Sequence, residues 1–223
     1  MLTSGRDRAI FTAIDTLDTL DVSRVPADLL TRARHIHVSS YFFLRTSRRK
    51  LPAFLRSARR AGITTSLDCN WDPDERWAGI EEVLPVVDVF LPNAAEACNL
   101  TRLNDPLEAA QKLMSLGMQS RQPIGGPEGP GLAVVVKLGA EGALAVRGDE
   151  VVHRPAIPVE VVDTTGAGDS FDAGFLAGWL ANEPLADAVA LGIACGSLST
   201  RQLGGTEAQP TIDEVRAVLM WTE

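Results

Sequence analysis

The segment VVDTTGAGDSFDAGF, residues 161–175, decides the fold. An apolar strand end, Val161-Val162, runs into Asp163-Thr164-Thr165. Gly166-Ala167-Gly168-Asp169 follows, and the apolar spacing then turns helical. In a doubly wound sheet, such a strand-to-helix junction lies beyond the carboxyl ends of the strands, where ligands bind. Small residues let an anion approach the backbone. First-turn N–H groups and the positive helix end favour negative charge there. The junction is suited to an anion such as a transferring phosphoryl group. A carboxylate beside that anion, Asp169, needs a reason. As a general base it accepts the proton of an attacking alcohol, while the backbone donors stabilise charge on the phosphoryl oxygens. The alternative is a plain helix start, in which acidic residues complement the dipole and glycines allow tight packing.

Outward from this junction, apolar β-branched runs alternate with helical stretches. HIHVSSY (35–41), ITTSLD (63–68), VVDVFL (86–91) and LAVVVKL (132–138) read as strands, the last apolar enough to be buried on both faces. Residues 47–61 read as a helix stopped by Gly62, and Asp105-Pro106 opens a helix that Gly117 closes. GALAVRGDEVVHRPA (142–156) reads as a hairpin about Gly148-Asp149. Residues 167–181 and 185–201 read as apolar helices, and TIDE (211–214) is a capping-box pattern opening a last one. The Gly/Pro-rich SRQPIGGPEGPG (120–131) reads as a flexible insertion. The alternation predicts one α/β domain over 1–223: a mostly parallel sheet with helices on both faces.

Composition sets bounds. With 223 residues, 45% of them hydrophobic, the chain can bury a sizeable core. No apolar run reaches membrane-spanning length, and MLTSGRDRAI is not a signal peptide. Cys69, Cys98 and Cys195 show neither metal spacing nor pairing, which fits a reducing cytoplasm. The net charge is −8, yet residues 1–60 carry 12 Lys+Arg against 5 Asp+Glu. Arg48, Arg49, Lys50, Arg56, Arg59 and Arg60 cluster around one predicted helix without interleaved aromatics, so they read as a solvated face and not a nucleic-acid surface.

The string DTTGAGDSFDAGFLAGWL resembles the C-terminal signature of the ribokinase/PfkB family of carbohydrate kinases. LDCNWDPDERW (67–77), LPNAAEACNLT (91–101), VVVKLGAEGALAV (134–146) and STRQLGGTEAQPT (199–211) resemble further family segments in order and spacing, so the likeness covers about residues 30–220. It implies a ribokinase-like α/β fold and ATP-dependent phosphorylation of a sugar hydroxymethyl group. A nucleoside kinase of the same family is the runner-up, and a non-catalytic nucleotide-binding or regulatory module is the rival from another class. By the same resemblance Asp169 is the base, and Gly166, Ala167 and Gly168 form the anion hole. Asn93 and Glu96 influence Mg²⁺ and phosphate through water. Lys137, Gly139 and Gly142 lie by the phosphates and ribose, and Ala194, Cys195, Gly196 and Ser199 face the adenine. Asp163 and Thr165, with the 201–206 loop, match a monovalent-cation (K⁺) site.

Read without the family, Asn93-x-x-Glu96 is a helix capping box, and the two roles coexist. The small residues of 194–199 equally suit close helix packing. A lysine ending a buried strand must reach solvent or an anion, which supports a site role for Lys137. His35-x-His37 puts two rings on one strand face but shows no third ligand, so the pair reads as edge-strand histidines. Trp71, Trp77 and Trp179 could stack on a ligand, but Trp179, four residues after Phe175, reads as core.

The family's N-terminal strands, β lid, Gly-Gly…Asn signature and sugar-binding aspartate find no match here. IFTAIDTLDTLDV (10–22) resembles the segment just after the lid returns. The chain is therefore expected to be N-terminally truncated relative to the family, with weak or no turnover. A sheet edge near residues 35–41 is expected to stay open to self-association, giving a possible homo-oligomer.

Overall fold

The computed structural model describes residues 2–4, 7–9, 15–121 and 131–220. Two short strands, β1 (Leu2–Ser4) and β2 (Asp7–Ala9), pair antiparallel. Helices α1 (Asp15–Thr19) and α2 (Ala27–Arg32) lead to β3 (His35–Val38). Then come α3 (Arg45–Arg48), α4 (Leu51–Arg60), β4 (Thr64–Leu67), α5 (Ile80–Val83), β5 (Val89–Phe90), α6 (Ala94–Thr101) and α7 (Pro106–Gln119). Strand β6 (Ala133–Lys137), the hairpin β7 (Ala143–Arg147) and β8 (Glu150–Arg154), α8 (Ala167–Leu180), α9 (Leu185–Ser199) and α10 (Ile212–Met220) complete the order.

Six strands form one sheet in the order β3-β4-β5-β6-β7-β8. The first four are mutually parallel, and β7 and β8 add on antiparallel. Strand β6 shows why its sequence is apolar at every position. Val134 and Val136 enter one core layer with Phe90, Leu113 and Ala110. Ala133 and Val135 enter the other with Phe175, Leu185 and Val189. Successive side chains point to opposite faces, and helices cover both. Helices α8 and α9 pack closely because glycines stand where they meet. A Cβ on Gly174 would lie 2.6 Å from both Cys195 Sγ and Leu191 O, and one on Gly192 would lie 3.0 Å from the Phe171 ring.

Several elements differ from the sequence expectation. The strand expected over 86–91 is only Val89–Phe90, because Leu84–Val86 form a 3₁₀ turn with Pro85 in its first positions. The helix expected over 47–61 is split into α3 and α4, with a proline at the start of α4. Gly62 follows it at φ +81°. The basic cluster is not wholly solvated. Arg48 sits over the rings of Tyr41 and Phe42 and donates to the Phe42 carbonyl. Arg59 pairs with Asp88, and Lys50 with Asp21. The 122–130 part of the expected insertion, and residues 10–14 of the 10–22 segment, lie outside the described residues. Among the described residues no helix is long and apolar enough to cross a membrane.

Candidate active site

Parallel strands all deliver their carboxyl ends to one edge, and the expected site residues gather there. At the start of α8, Gly166 takes the left-handed conformation, φ 73°, ψ 2°, and caps the helix without a side-chain hydrogen bond. Ala167 N donates to Thr164 O (3.2 Å) and Ser170 N to Gly166 O (2.9 Å). Gly168 and Asp169 belong to the first turn, whose amides have no helical acceptor one turn back, and both residues are exposed. The anion-hole residues and the candidate base are thus presented together at a helix N-terminus.

Beside them opens a cavity of about 590 Å³. Lys137, Gly139, Gly142, Ala167, Gly168 and Gly196 line it, as the sequence suggested. So do Ile157, Pro158, Val159, Phe171, Ile193 and Thr200, which the sequence reading missed. Its lining comes from the β6–β7 turn, the segment after β8, the start of α8 and α9. From α9 and its C-cap residue Thr200 the lining positions are 193, 196, 197 and 200, one face of a helix. Ala194, Cys195 and Ser199, expected at the adenine, lie off that face and do not line the cavity. Ala194 packs with Leu198 and Val215, Cys195 meets α8 at Gly174, and Ser199 is buried and donates to Gly196 O (2.9 Å). The signal that would have found the α9 positions lining the cavity is the helical period read from Gly196.

Lys137 closes β6 at the same edge, but the anions it reaches belong to this chain. Its Nζ lies 2.7 Å from Asp68 Oδ2, and 3.0 and 3.2 Å from the two Asp172 oxygens. A Cβ placed on Gly168 would lie 3.8 Å from that Nζ, so the ammonium sits directly behind the anion hole. Against the effect of burial, the Asp172 and Asp68 carboxylates hold Lys137 above the usual lysine range. Burial pushes the Asp172 carboxyl well up. Burial also acts to raise Asp68, yet the Lys137 ammonium and further hydrogen bonds hold it below the ordinary carboxylate value.

Asn93 and Glu96 form the capping box of α6. Asn93 Oδ1 accepts from Glu96 N, and Glu96 Oε2 accepts from Asn93 N, both at 2.9 Å. Glu96 is 5% exposed, also accepts from Cys69 Sγ (3.6 Å), and has its carboxyl pushed up by burial. Asp163 Oδ1 accepts from Thr165 N (2.9 Å) and Thr165 Oγ1 (2.8 Å), and its Oδ2 accepts from Gly204 N (3.0 Å). The 163–165 turn and the 201–206 loop are therefore in contact. Among the described residues no group of three or more His, Cys, Asp or Glu is placed to hold a metal ion.

The other candidates have local explanations. His35 Nδ1 meets Thr64 Oγ1 (2.8 Å), His35 Nε2 meets Ser66 Oγ (2.7 Å), and His37 Nδ1 meets the same Ser66 Oγ (2.7 Å). Trp71 and Trp77 pack edge to face at 4.8 Å. Trp179 stacks on Phe175 and carries Arg147 over its face.

Residues 9–212 match the model of the pfkB family carbohydrate kinases. The chain is 31% identical over 181 residues to a 2-dehydro-3-deoxygalactonokinase of Haloferax volcanii, covering 78% of this chain and 52% of that protein. It is 32% identical over 192 residues to an ATP-dependent ribose-1-phosphate kinase of Halopiger xanaduensis, covering 85% and 56%. It thus spans about half the length of these two relatives. Its fold is that of an E. coli ribokinase II solved with ATP and Mg²⁺, with a TM-score of 0.74 at 23% identity over 92% of this chain and 66% of that one.

Proposed function

Because the chain belongs to the pfkB family of carbohydrate kinases, we propose that it is a nucleotide-binding phosphotransferase domain. In this reading it takes ATP and passes the γ-phosphoryl group to a hydroxymethyl group of a sugar or nucleoside. One observation carries the reading. Ala167 and Gly168 line a cavity at the sheet's carboxyl edge, with the N-cap Gly166 just before them and Asp169 one residue further along the same helical turn. Asp169 accepts the acceptor's hydroxyl proton as the oxygen attacks phosphorus, and the first-turn amides stabilise the equatorial oxygens. The apolar lining from Ile157, Pro158, Val159, Phe171 and Ile193, with the small Gly196 beside it, suits a nucleobase.

Magnesium, when bound with ATP, neutralises phosphate charge. Oxygen donors suited to it are present at Asn93 and Glu96, but Asn93 Oδ1 and Glu96 Oε2 are already used in the capping box. These residues would therefore hold the ion through water, which suits a cation that sheds its waters reluctantly. The Asp163–Thr165 turn against Gly204 is the proposed K⁺ site, supported by the Asp163 carboxylate that joins this turn to the 201–206 loop. A reducing cytoplasm suits the three free cysteines. Self-association through β3, the terminal strand of the six-stranded order, belongs to the same reading and is checked by light scattering.

Isothermal titration with ATP–Mg²⁺ and a coupled ADP-release assay over a panel of sugars and nucleosides test the activity. Acceptor-dependent ADP release supports the kinase. ATP binding with no release for any acceptor makes the domain a non-catalytic nucleotide-binding module.

A further inference from the structure

A buried ion pair in an apolar helix calls for an explanation. Asp172 is 3% exposed and sits between Phe171 and the core residue Phe175 on α8. Replacing a buried ion pair by apolar residues is often neutral or stabilising, so such a pair contributes little on its own account to stability. Its location is more informative. Lys137 Nζ joins three elements: Asp68 at the end of β4, its own strand β6, and Asp172 in α8. Strands β4 and β6 are not neighbours, since β5 lies between them. The ammonium therefore spans the sheet edge and ties α8 down onto it. Asp172 is three residues after Asp169, which places the two on the same side of the helix. The ammonium also lies behind Gly168, within 3.8 Å of where a Cβ would stand.

We propose that Asp172, together with Asp68, is a positioning residue: it locks Lys137 behind the anion hole as a fixed charge and sets the pitch of the turn that presents Asp169. This rests on the reading of Gly166–Asp169 as the phosphoryl-transfer site. Lys137 is then no mobile ligand that swings onto a phosphate. Its positive charge acts through the turn. Its two carboxylates offset part of that charge and fix its place, so that bound ATP is not held too tightly in the ground state.

The chain has three lysines, Lys50, Lys112 and Lys137. The Lys50 side chain is 47% exposed and that of Lys137 only 13%. Reductive methylation of the 223-residue protein followed by peptide mass spectrometry reads the clamp without any turnover. Lys137 should react at least about tenfold more slowly than Lys50, because reaction requires local opening. Asp172→Asn keeps the shape and removes the second carboxyl that holds Lys137. It should lower kcat about 10–100-fold, the scale of a small misplacement of reacting groups. ATP affinity should be unchanged or tighter, and Lys137 should methylate faster. A variant that merely loses structure would lower ATP affinity as well. Should Asp172→Asn fail to fold, Lys137→Met with Asp172→Leu and Asp68→Asn keeps the core filled, leaves no carboxylate of the clamp unpaired, and should retain a cooperative melt with a similarly reduced kcat. Methylation of Lys137 in the parent at the rate of Lys50 would overturn the clamp. So would parent-like kcat in either variant, or a large loss of ATP affinity in Asp172→Asn. Absence of acceptor-dependent ADP release from the parent itself would count against the kinase reading; the clamp would still be judged by methylation and ATP affinity.

Discussion

Adding one methyl group at Gly142 should cost more than most core truncations. Gly142 connects β6 to β7 with φ 97° and ψ −126°, a region that residues with a Cβ rarely adopt. Its N–H donates to Gly139 O (3.1 Å), and its carbonyl accepts from Leu138 N (2.8 Å). A Cβ there would lie 2.0 Å from Arg154 O, and 2.6 Å from both Ala156 N and Pro155 C. All three are backbone atoms, and Arg154 is held in the ladder opposite Ala143. No rotamer change relieves the overlap. Backbone strain of this kind costs about 1–3 kcal/mol, and overpacking about 1–3 kcal/mol more. At roughly 2–4 °C per kcal/mol for a domain of this size, Gly142→Ala should melt about 5–20 °C below the parent. The segment that must retreat continues into Ile157–Val159, a wall of the cavity, so ATP affinity should fall too. Thermal unfolding by circular dichroism and titration with ATP–Mg²⁺ measure the two effects. A melt within about 2 °C of the parent, less than one kcal/mol on that scale, would refute the steric argument.

In a catalytically complete form, Asp169→Asn removes the proton acceptor and keeps its shape, so kcat should fall about 10²–10⁴-fold with ATP affinity unchanged or tighter; a variant keeping most of its kcat would make Asp169 a plain helix-start residue. A Cβ at Gly196 would lie 3.1 Å from Ala167 O and 3.2 Å from Phe171 Cβ, so Gly196→Val crowds α8 at the cavity lining; overpacking of about 1–3 kcal/mol should lower the melting temperature by roughly 2–12 °C, and ATP affinity by titration should fall with it. Cys195→Ser, off the cavity face, should leave ATP affinity as it was. Burial, followed by repulsion from His37, lowers the His35 pKa from 6.5 to about 4, with Asp88 opposing. The folded state therefore prefers the neutral ring, and its contribution is complete above pH 6.5 and lost as pH falls toward 4. Discounted for the ring's partial exposure, the loss is about 1–2 kcal/mol, so His35→Gln should flatten the acid limb of the melting-temperature profile in that window; parallel profiles would contradict it.

Much of the sheet could be read from local pattern alone. AVVVK is apolar on both faces, and Gly148-Asp149 carries the turn of a hairpin, because each signal lies within its own element. Failures arise where the deciding partner is distant in sequence. Lys137 showed a charge ending a buried strand, which asks for an anion. That the anions are Asp68 and Asp172, 69 and 35 residues away, is not in any window around it. Ala194, Cys195 and Ser199 were small enough to leave room for a ring. Small residues also let helices approach, and only the position of α8 shows which side of α9 does which. The Asn93–Glu96 capping box was legible because both halves lie within four residues. Any further role for it depends on ligands that sequence spacing does not encode. The split of 47–61 is the exception, a local one, since the proline at the start of α4 lies within the stretch itself.

The glycine-lined contact between α8 and α9 has a consequence for motion. With Gly174 and Gly192 leaving no gap, neither helix can slide or rotate without backbone collision, so the pair should exchange its amide hydrogens as one cooperative unit. The first turn of α8 and the Gly196–Thr200 end of α9 then belong to a single rigid body, and both face the cavity. Any opening of the cavity then comes from the rest of its lining, which includes the 155–161 segment. Its amides should exchange while those in the middle of both helices remain protected up to global unfolding.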